Sequence, residues 1–383
     1  MVLLFLGLFI LWTELRHRLR PHSPLVINPL SAEVVSLEGR LELTIRFAIH
    51  NLHPRMEVMI PELWVEPVLL GHNNVSNIRL QTSIRSNHPD EPAREDGYWP
   101  AYIVRGCQST EIDVLIKLQI ECPHEAVSGV WLNLHWINYG PFGWLARRDS
   151  VLVPLEHPEP PSNIAAGFRT AADCRTLAIR THLLGRLDDP LDVLKRYAGD
   201  LVRPSDILAI GETPLAVMQG RYQHPAIIRP GCEARLLCRV FHPTSSLATA
   251  CGLQTLIDIE GPSRVLVAWI GGFLLRVIGV KGGFYRLAGP QACLIDDVTG
   301  TTPPYDQTIV LGPNDAKAFC QCAAVELGTN VAVVDVNDCG SVKVLASSSG
   351  CDNTLLRRAL QSNPAGNANE QTPLVLVRPG TTD

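Results

Sequence analysis

The stretch "RLELTIRFAI" (Arg40–Ile49) alternates apolar and polar residues without a break. Leu41, Leu43, Ile45, Phe47 and Ile49 fall on one side, and Arg40, Glu42, Thr44 and Arg46 on the other. That is the period of a half-buried strand. "IDVLIKLQI" (112–120) repeats the pattern through Ile112, Val114, Ile116, Leu118 and Ile120. "VWLNLHWI" (130–137) does so again, with His135 on its polar side, and "SVLVPL" (150–155) is a further short strand. Pro, Gly and Asn turns separate these strands, which predicts an antiparallel β-sandwich over residues 21–155. His50 and His53 flank a turn, and they read as solvated or hydrogen-bonded groups rather than ligands.

The pattern changes after the sandwich. "EHPEPPSNIAAG" (156–167) is Pro-rich and reads as a linker. Beyond it, "LDDPLDVLKRYAGDL" (187–201) predicts a helix with Asp189 as N-cap, Pro190 at the first helical position and Asp192 in the first turn. "PNDAKAFCQCAAVELG" (313–328) predicts a second helix, started near Asn314 and stopped by Gly328. "VAVVDV" (331–336) is a buried strand, "NTLLRRALQSN" (353–363) a helix, and "PLVLVRP" (373–379) a last strand. Alternating strands and helices give a mixed α/β domain over 168–383, so the expected fold class is α+β. The apolar "VLVAWIGGFLLRVIGV" (265–280) contains Arg276 and is short for a bilayer span, so it reads as a buried or interfacial helix.

The N-terminus reads "MVLLFLGLFILW", followed by Arg16, Arg18 and Arg20. The apolar run is shorter than the roughly 20 residues that span a bilayer. It lacks the basic n-region and small-residue cleavage site of a signal peptide. Residues 1–20 are expected to be a membrane anchor or interfacial helix, with a plain buried helix as the other reading. The arginines would keep the following chain at the cytoplasmic face.

Composition excludes several chemistries. A net charge of −5 over 383 residues gives no basic footprint for nucleic acid. The 11 cysteines include no C-x-x-C pair, which speaks against a zinc ribbon or disulfide framework and fits a reducing compartment. All 12 histidines precede residue 243, so a His-rich zinc site or a Ser-His-Asp triad is not expected in the last part of the chain. A metal there would be held by oxygen ligands, which selects Mg²⁺, Mn²⁺ or Ca²⁺.

Two acidic clusters could hold such a cation. One is Asp296–Asp297 with Thr299, in "CLIDDVTGTTPPYDQTIVLGPND" (293–315). The other is "VVDVNDCG", with Asp335, Asn337 and Asp338 at the C-terminal end of a predicted strand, where α/β proteins place functional side chains. Asp and Asn at strand ends also simply form turns. The Gly-rich "GVKGGFYRLAG" (279–289) lies just before the first cluster. Lys281 and Arg286, with the backbone of Gly282 and Gly283, could hold a phosphate, although no P-loop pattern is present.

From about Thr176 to Arg378 the order of segments resembles the coenzyme F420-0:gamma-glutamyl ligase family. "TLAIRTHLLGRLDDPLDVLKRYAGDLVRPSDILAIGETPLAVMQGR" (176–221) is similar to that family's opening. "YRLAGPQACLIDDVTGTTPPYDQTIVLGPNDA" is similar to its "ANAGVDESN…LLPEDP" segment. "GTNVAVVDVNDCG" stands where the family has a strand ending in "SDTFG", and "NEQTPLVLVRP" resembles its closing "GVPVVLVRG". The resemblance implies GTP-dependent amide formation between a small-molecule carboxylate and an amino acid such as L-glutamate, assisted by Mg²⁺ or Mn²⁺. It implies Asp296 or Asp297 as the first metal ligand, with Asn337 and Asp338 at the family's Asp-Thr pair and Asp335 and Glu370 as further candidates. Arg221 keeps the Gly-Arg ending of the first motif, but "GETPLAVMQGR" (211–221) has no lysine where the family has "SKIVSKAEGR". Two readings therefore stay open: a ligase, or a catalytically inactive membrane-associated binding or scaffold protein. The membrane surface is the expected partner of the N-terminus, and a homodimer is left open.

Overall fold

The computed structural model describes residues 2–18, 24–37, 39–71, 75, 78–119, 127–159, 167–171, 174–298, 303–336, 341–366 and 370–380. The chain divides into two compact units, Met1–Leu155 and Glu156–Asp383.

The first unit begins with helix α1 (Val2–Arg18). Nine strands follow: β1 (Leu25–Leu37), β2 (Arg40–Asn51), β3 (Val58–Ile60), β4 (Leu63–Leu70), β5 (Arg79–Asn87), β6 (Tyr102–Val104), β7 (Ser109–Gln119), β8 (Gly129–Gly140) and β9 (Gly143–Pro154). One sheet has the order β1-β2-β7-β5. The other has β4-β8-β3-β6, with β9 also paired to β8. The alternation of β2 is met in register: Leu43, Ile45 and Phe47 lie opposite Ile116, Val114 and Ile112, and all six are buried. Ile120 lies outside the described residues.

β8 departs from the expected half-buried pattern. Its residues from Gly129 to Leu134 are all buried, so both faces are covered. The polar side chains on it are accommodated by local partners. Asn133 Oδ1 accepts from Arg148 Nη2 at 2.9 Å and from Ser150 Oγ at 2.8 Å. His135 stacks on Trp64 at 5.1 Å and its Nε2 meets Glu66 at 3.1 Å. The long stems of these side chains cover the outer face. His53 Nδ1 accepts from the Met56 amide at 2.8 Å, a turn contact as expected.

The second unit carries a mixed sheet with the order β10-β11-β17-β12-β15-β16. Its strands are β10 (Arg169–Ala171), β11 (Cys174–Ile179), β12 (Ile207–Gly211), β15 (Asn330–Val336), β16 (Val342–Ser347) and β17 (Leu374–Pro379). Only β12 and β15 are parallel to each other; the other pairs are antiparallel. Leu208, Ile210, Val331, Val333, Leu374 and Leu376 face α2 (Pro190–Ala198), α3 (Glu212–Met218) and α8 (Ala316–Leu327). Ile207, Ala209, Ala332, Val334, Val375 and Val377 face α9 (Asn353–Leu360). A sheet covered on both faces reads as continuous apolar runs, which is why "ILAIG" and "VAVV" do not alternate. Asp189 caps α2 as expected, its Oδ1 accepting from Leu191 N at 2.8 Å and Asp192 N at 3.1 Å.

A helical layer is inserted between the short paired strands β13 (Tyr222–Gln223) and β14 (Ile309–Val310). It contains α4 (Cys232–Leu237), α5 (Ala250–Glu260), α6 (Pro262–Val277) and α7 (Gly283–Leu287). It has its own core of Leu237, Leu253, Leu256, Val265, Ala268, Phe284 and Ile295. The order expected from sequence, an antiparallel β unit followed by a mixed α/β unit, is the order found.

Candidate functional site

β12 and β15 run parallel, with Gly211 level with Val334. The residue after each pairing position is acidic. Glu212 is the first residue of α3, directly after β12, and Asp335 is the penultimate residue of β15. Both therefore sit at the carboxyl ends of adjacent parallel strands, the place where open α/β sheets put their chemistry.

Asp296 follows the helical layer in the chain and is the third acid of this region. Its backbone forms a two-way bridge with Val310, N to O at 2.8 Å in each direction. Val310 pairs in turn with Tyr222, which follows α3 closely. The buried Tyr305 hydroxyl donates to Leu184 O at 2.8 Å and the Tyr305 ring meets Tyr222 edge-on at 4.9 Å, which fixes the intervening loop.

Glu212 and Asp296 are each raised chiefly by burial, and Asp335 adds to both. Burial, reinforced by Asp335 and Asp296, pushes the Glu212 carboxyl up to about 8, with Lys343 pulling the other way. Burial and Asp335 push Asp296 up to about 6. Glu212 Oε2 is buried and has no hydrogen-bond partner. Lys343 lies opposite Asp335 in the β15–β16 register. An orphaned buried carboxylate oxygen beside two further carboxylates is donor chemistry suited to a hard divalent cation. Among the described residues, no group of three His, Cys, Asp or Glu side chains is close enough as it stands to hold a metal ion, so these acids would have to draw together around one.

The other expected site residues separate from this cluster. Asp297 turns away, its Oδ1 accepting from the Val298 amide at 2.8 Å, the ordinary job of an Asp in a turn. Thr299, Asn337 and Asp338 lie outside the described residues. Glu370 is exposed, with its side chain against Gly366. Arg221 is half-buried, and burial lowers its pKa. Its Nε donates to Gly312 O at 2.5 Å, which ties the end of α3 to the loop after β14.

Lys281 and Arg286 are exposed at the α6–α7 turn and are not among the charges that perturb Glu212 or Asp296. Gly282 sits there at φ +74°, in the left-handed region. Gly283 allows close helix packing, since a Cβ on it would stand 2.7 Å from Leu275 Cδ1. Gly272 does the same from α6: its Cβ would meet the Phe284 backbone N at 2.6 Å. The glycines of this segment thus serve a tight α6–α7 crossing. Gly272→Ala is expected to destabilise the second unit by about 1–3 kcal/mol through overpacking. Chemical denaturation checks this, and an unchanged midpoint would show that the helices can separate freely.

Sequence reading missed Glu212 and Lys343. The signal for Glu212 was present, because an acid directly after the apolar run "ILAIG" obeys the same strand-end rule that singled out Asp335.

Comparison with known proteins bears on the first unit. Residues 30–157 match the family model described as F420-0:gamma-glutamyl ligase, N-terminal Ig-like domain. The nine antiparallel strands are thus an Ig-like domain similar to the one that precedes that ligase. No curated protein matches the chain. Among solved structures, a FixG-related protein from Vibrio parahaemolyticus is 9% identical, covers 34% of this chain and 96% of its own, and has a TM-score of 0.20. The GAE domain of yeast GGA1 is 9% identical over 36% of this chain and 96% of its own, also at 0.20. The GAE domain of GGA2p from Saccharomyces cerevisiae is 8% identical over 34% of this chain and 100% of its own, again at 0.20. At those scores the structural likenesses carry no argument.

Proposed function

We propose that the second unit is a divalent-cation-dependent, nucleotide-using ligase that joins a small-molecule carboxylate to the amine of an amino acid such as L-glutamate. One observation supports this above the others: Glu212 and Asp335 stand at the ends of two adjacent parallel strands, and Asp296 is close enough to add to the raised pKa of Glu212. The Ig-like match in the first unit supports it independently, since that domain is the one found in front of F420-0:gamma-glutamyl ligase.

The chemistry has two steps. A carboxylate oxygen of the acceptor attacks the terminal phosphorus of the nucleotide, and the nucleoside diphosphate leaves. The amine then attacks the acyl carbon, and inorganic phosphate leaves. Bound Mg²⁺ or Mn²⁺ would neutralise charge on the transferring phosphoryl oxygens. Glu212, Asp296 and Asp335 are the residues that would hold it. Asp296 and Asp335, once ionised, repel a polyphosphate, so the nucleotide would enter together with the cation. Lys343, opposite Asp335 in the strand register, would meet a phosphate oxygen. It would stand in for the lysines that α3 lacks. Membrane association at the cytoplasmic face, through α1, belongs to the same proposal.

Thermal unfolding of the full chain with Mn²⁺ or Mg²⁺, with and without non-hydrolysable GTP or ATP analogues, tests this. A ligand at 100 times its dissociation constant stabilises by about 2.7 kcal/mol. The expected result is a modest shift with cation, a larger shift with cation plus nucleotide, and no shift with nucleotide alone. No shift under any condition would favour the inactive scaffold, a reading that the lysine-free α3 and the structural use of Arg221 also support.

A further inference from the structure

Helix α6 presents an apolar face to solvent. Val265, Ala268 and Gly272 turn inward and are buried. Leu266, Val267, Ile270, Phe273, Leu274 and Val277 occupy a contiguous face less than half the circumference wide, and all are exposed. Val267 is 67% exposed, Val277 70%, and Ile278, just beyond the helix, 73%, so no described residue of the second unit covers this face. Trp269 lies at its border, half-buried and stacked on Phe273 at 6.3 Å.

The segment that carries this face is basic, with Glu260 directly before it and Asp296 directly after it. From Gly261 to Ile295 the chain contains Arg264, Arg276, Lys281 and Arg286 and no acidic residue. Arg264 is paired with Glu260 at 2.6 Å. Arg276, Lys281 and Arg286 are exposed.

We infer that α6 and the α6–α7 turn form a docking surface for an anionic lipid bilayer. An in-plane helix buries its apolar face at the boundary between headgroups and acyl chains, with basic residues and an aromatic ring at the rim. The charge selects this occupant over a second copy of the chain. A two-fold contact through this face would bring the same cations together without an acid to pair them. The helix has 16 residues, and no helix among the described residues is long and apolar enough to cross a membrane, so α6 lies on the surface rather than through it. A second exposed apolar helix, α1, belongs to the other unit; Leu4, Phe5, Phe9 and Leu11 on it are all more than half exposed.

The experiment isolates α6 from α1. Full-length protein carrying Leu6→Glu and Phe9→Glu is sedimented with phosphatidylcholine vesicles, and with vesicles in which a third of the lipid is phosphatidylglycerol. Binding is expected to the anionic vesicles only, and it should weaken as salt rises. Adding Val267→Glu and Phe273→Glu should abolish it. Each cation near an anionic surface strengthens binding about fivefold. Adding Arg276→Gln and Lys281→Gln instead should therefore weaken it on the order of twentyfold, without touching the apolar face. This second pair keeps the test decisive if the Glu pair fails to fold. The inference is overturned if the Leu6→Glu, Phe9→Glu protein binds no anionic vesicles, or if its binding is indifferent to both α6 pairs. It is also overturned if ultracentrifugation shows a dimer that Val267→Glu and Phe273→Glu split, because the face then belongs to a second copy.

Discussion

Asp206→Ala is expected to destabilise the second unit by about 3–5 kcal/mol, because it leaves a buried guanidinium without its counter-charge. Asp206 is fully buried, and Arg378 is 7% exposed. The arginine Nε donates to Asp206 Oδ1 at 3.0 Å and its Nη2 to Oδ2 at 2.7 Å. The same Nη2 donates to Leu201 O at 2.9 Å, and Asp206 Oδ2 also accepts from Arg203 N at 3.0 Å. The pair thus ties the last strand, β17, to the turn that enters β12. The Asp206 carbonyl extends the tie to the start of β15 by accepting from Thr329 Oγ1 at 2.8 Å. Hydrogen exchange followed by mass spectrometry reads the effect locally. Protection in Ile207–Gly211 and Leu374–Pro379 should fall by about two to three orders of magnitude, while Arg40–Asn51 in the other unit keeps its protection. Replacing both partners together, by Asp206→Leu and Arg378→Met, should cost less than either truncation, since an apolar pair needs no compensating charge. If both truncations leave exchange unchanged, the pair does not hold these strands.

Much of the architecture could be read from local pattern. The two-residue period of Arg40–Ile49 places every side chain of β2 on its observed face. Asp189 and Pro190 mark the start of α2, and Gly328, at φ +64°, marks the end of α8. These features depend on neighbours within a few residues, so sequence alone carries them. β8 was misread because its second face is covered by side chains from other strands, Trp64 and Arg148 among them. The period of β8 itself does not encode that cover.

The candidate site was less legible, for the same reason. Choosing between Asp296 and Asp297 required knowing that Asp296 bridges to Val310, a pairing across the Thr- and Pro-rich loop. The two adjacent carboxylates differ: burial and Asp335 raise Asp296, whereas Asp297 accepts from the amide of its own turn. Glu212 resembles an ordinary acidic residue in a first helical turn, where it favours the helix dipole. Only the parallel pairing of β12 with β15 brings it to the same end of the sheet as Asp335. The Gly-rich segment 279–289 suggests a phosphate loop by composition, whereas its Gly283, together with Gly272 of α6, is needed for helix contact.

The carboxylate cluster predicts a pH dependence whose sign a cation reverses. Glu212 is raised from 4.5 to about 8, and Asp296 from 3.8 to about 6. A carboxyl with a raised folded-state pKa binds its proton more tightly in the folded protein than in the unfolded chain. Its contribution is therefore fully present below about pH 4 and is lost as pH rises through the folded values. At 1.36 kcal/mol per pKa unit, the loss from Glu212 alone is on the order of 3–5 kcal/mol by pH 9. Metal-free protein should accordingly melt at falling temperature from pH 5 to pH 9. Glu212→Gln removes the charge that burial penalises, so it should flatten most of this slope and raise the melting temperature at pH 8. Saturating Mn²⁺ should restore wild-type stability at pH 8 by binding the ionised cluster, and should do little at pH 5, where protons compete for the same oxygens. It should not stabilise the Glu212→Gln or Asp296→Asn proteins to the same extent, with apparent affinity lower by about tenfold or more. A flat wild-type profile would mean that the three carboxylates do not share an environment. A falling profile that Mn²⁺, Mg²⁺ and Ca²⁺ all leave unchanged would mean that the acids are clustered without serving a cation, and the ligase chemistry would then have no place to sit.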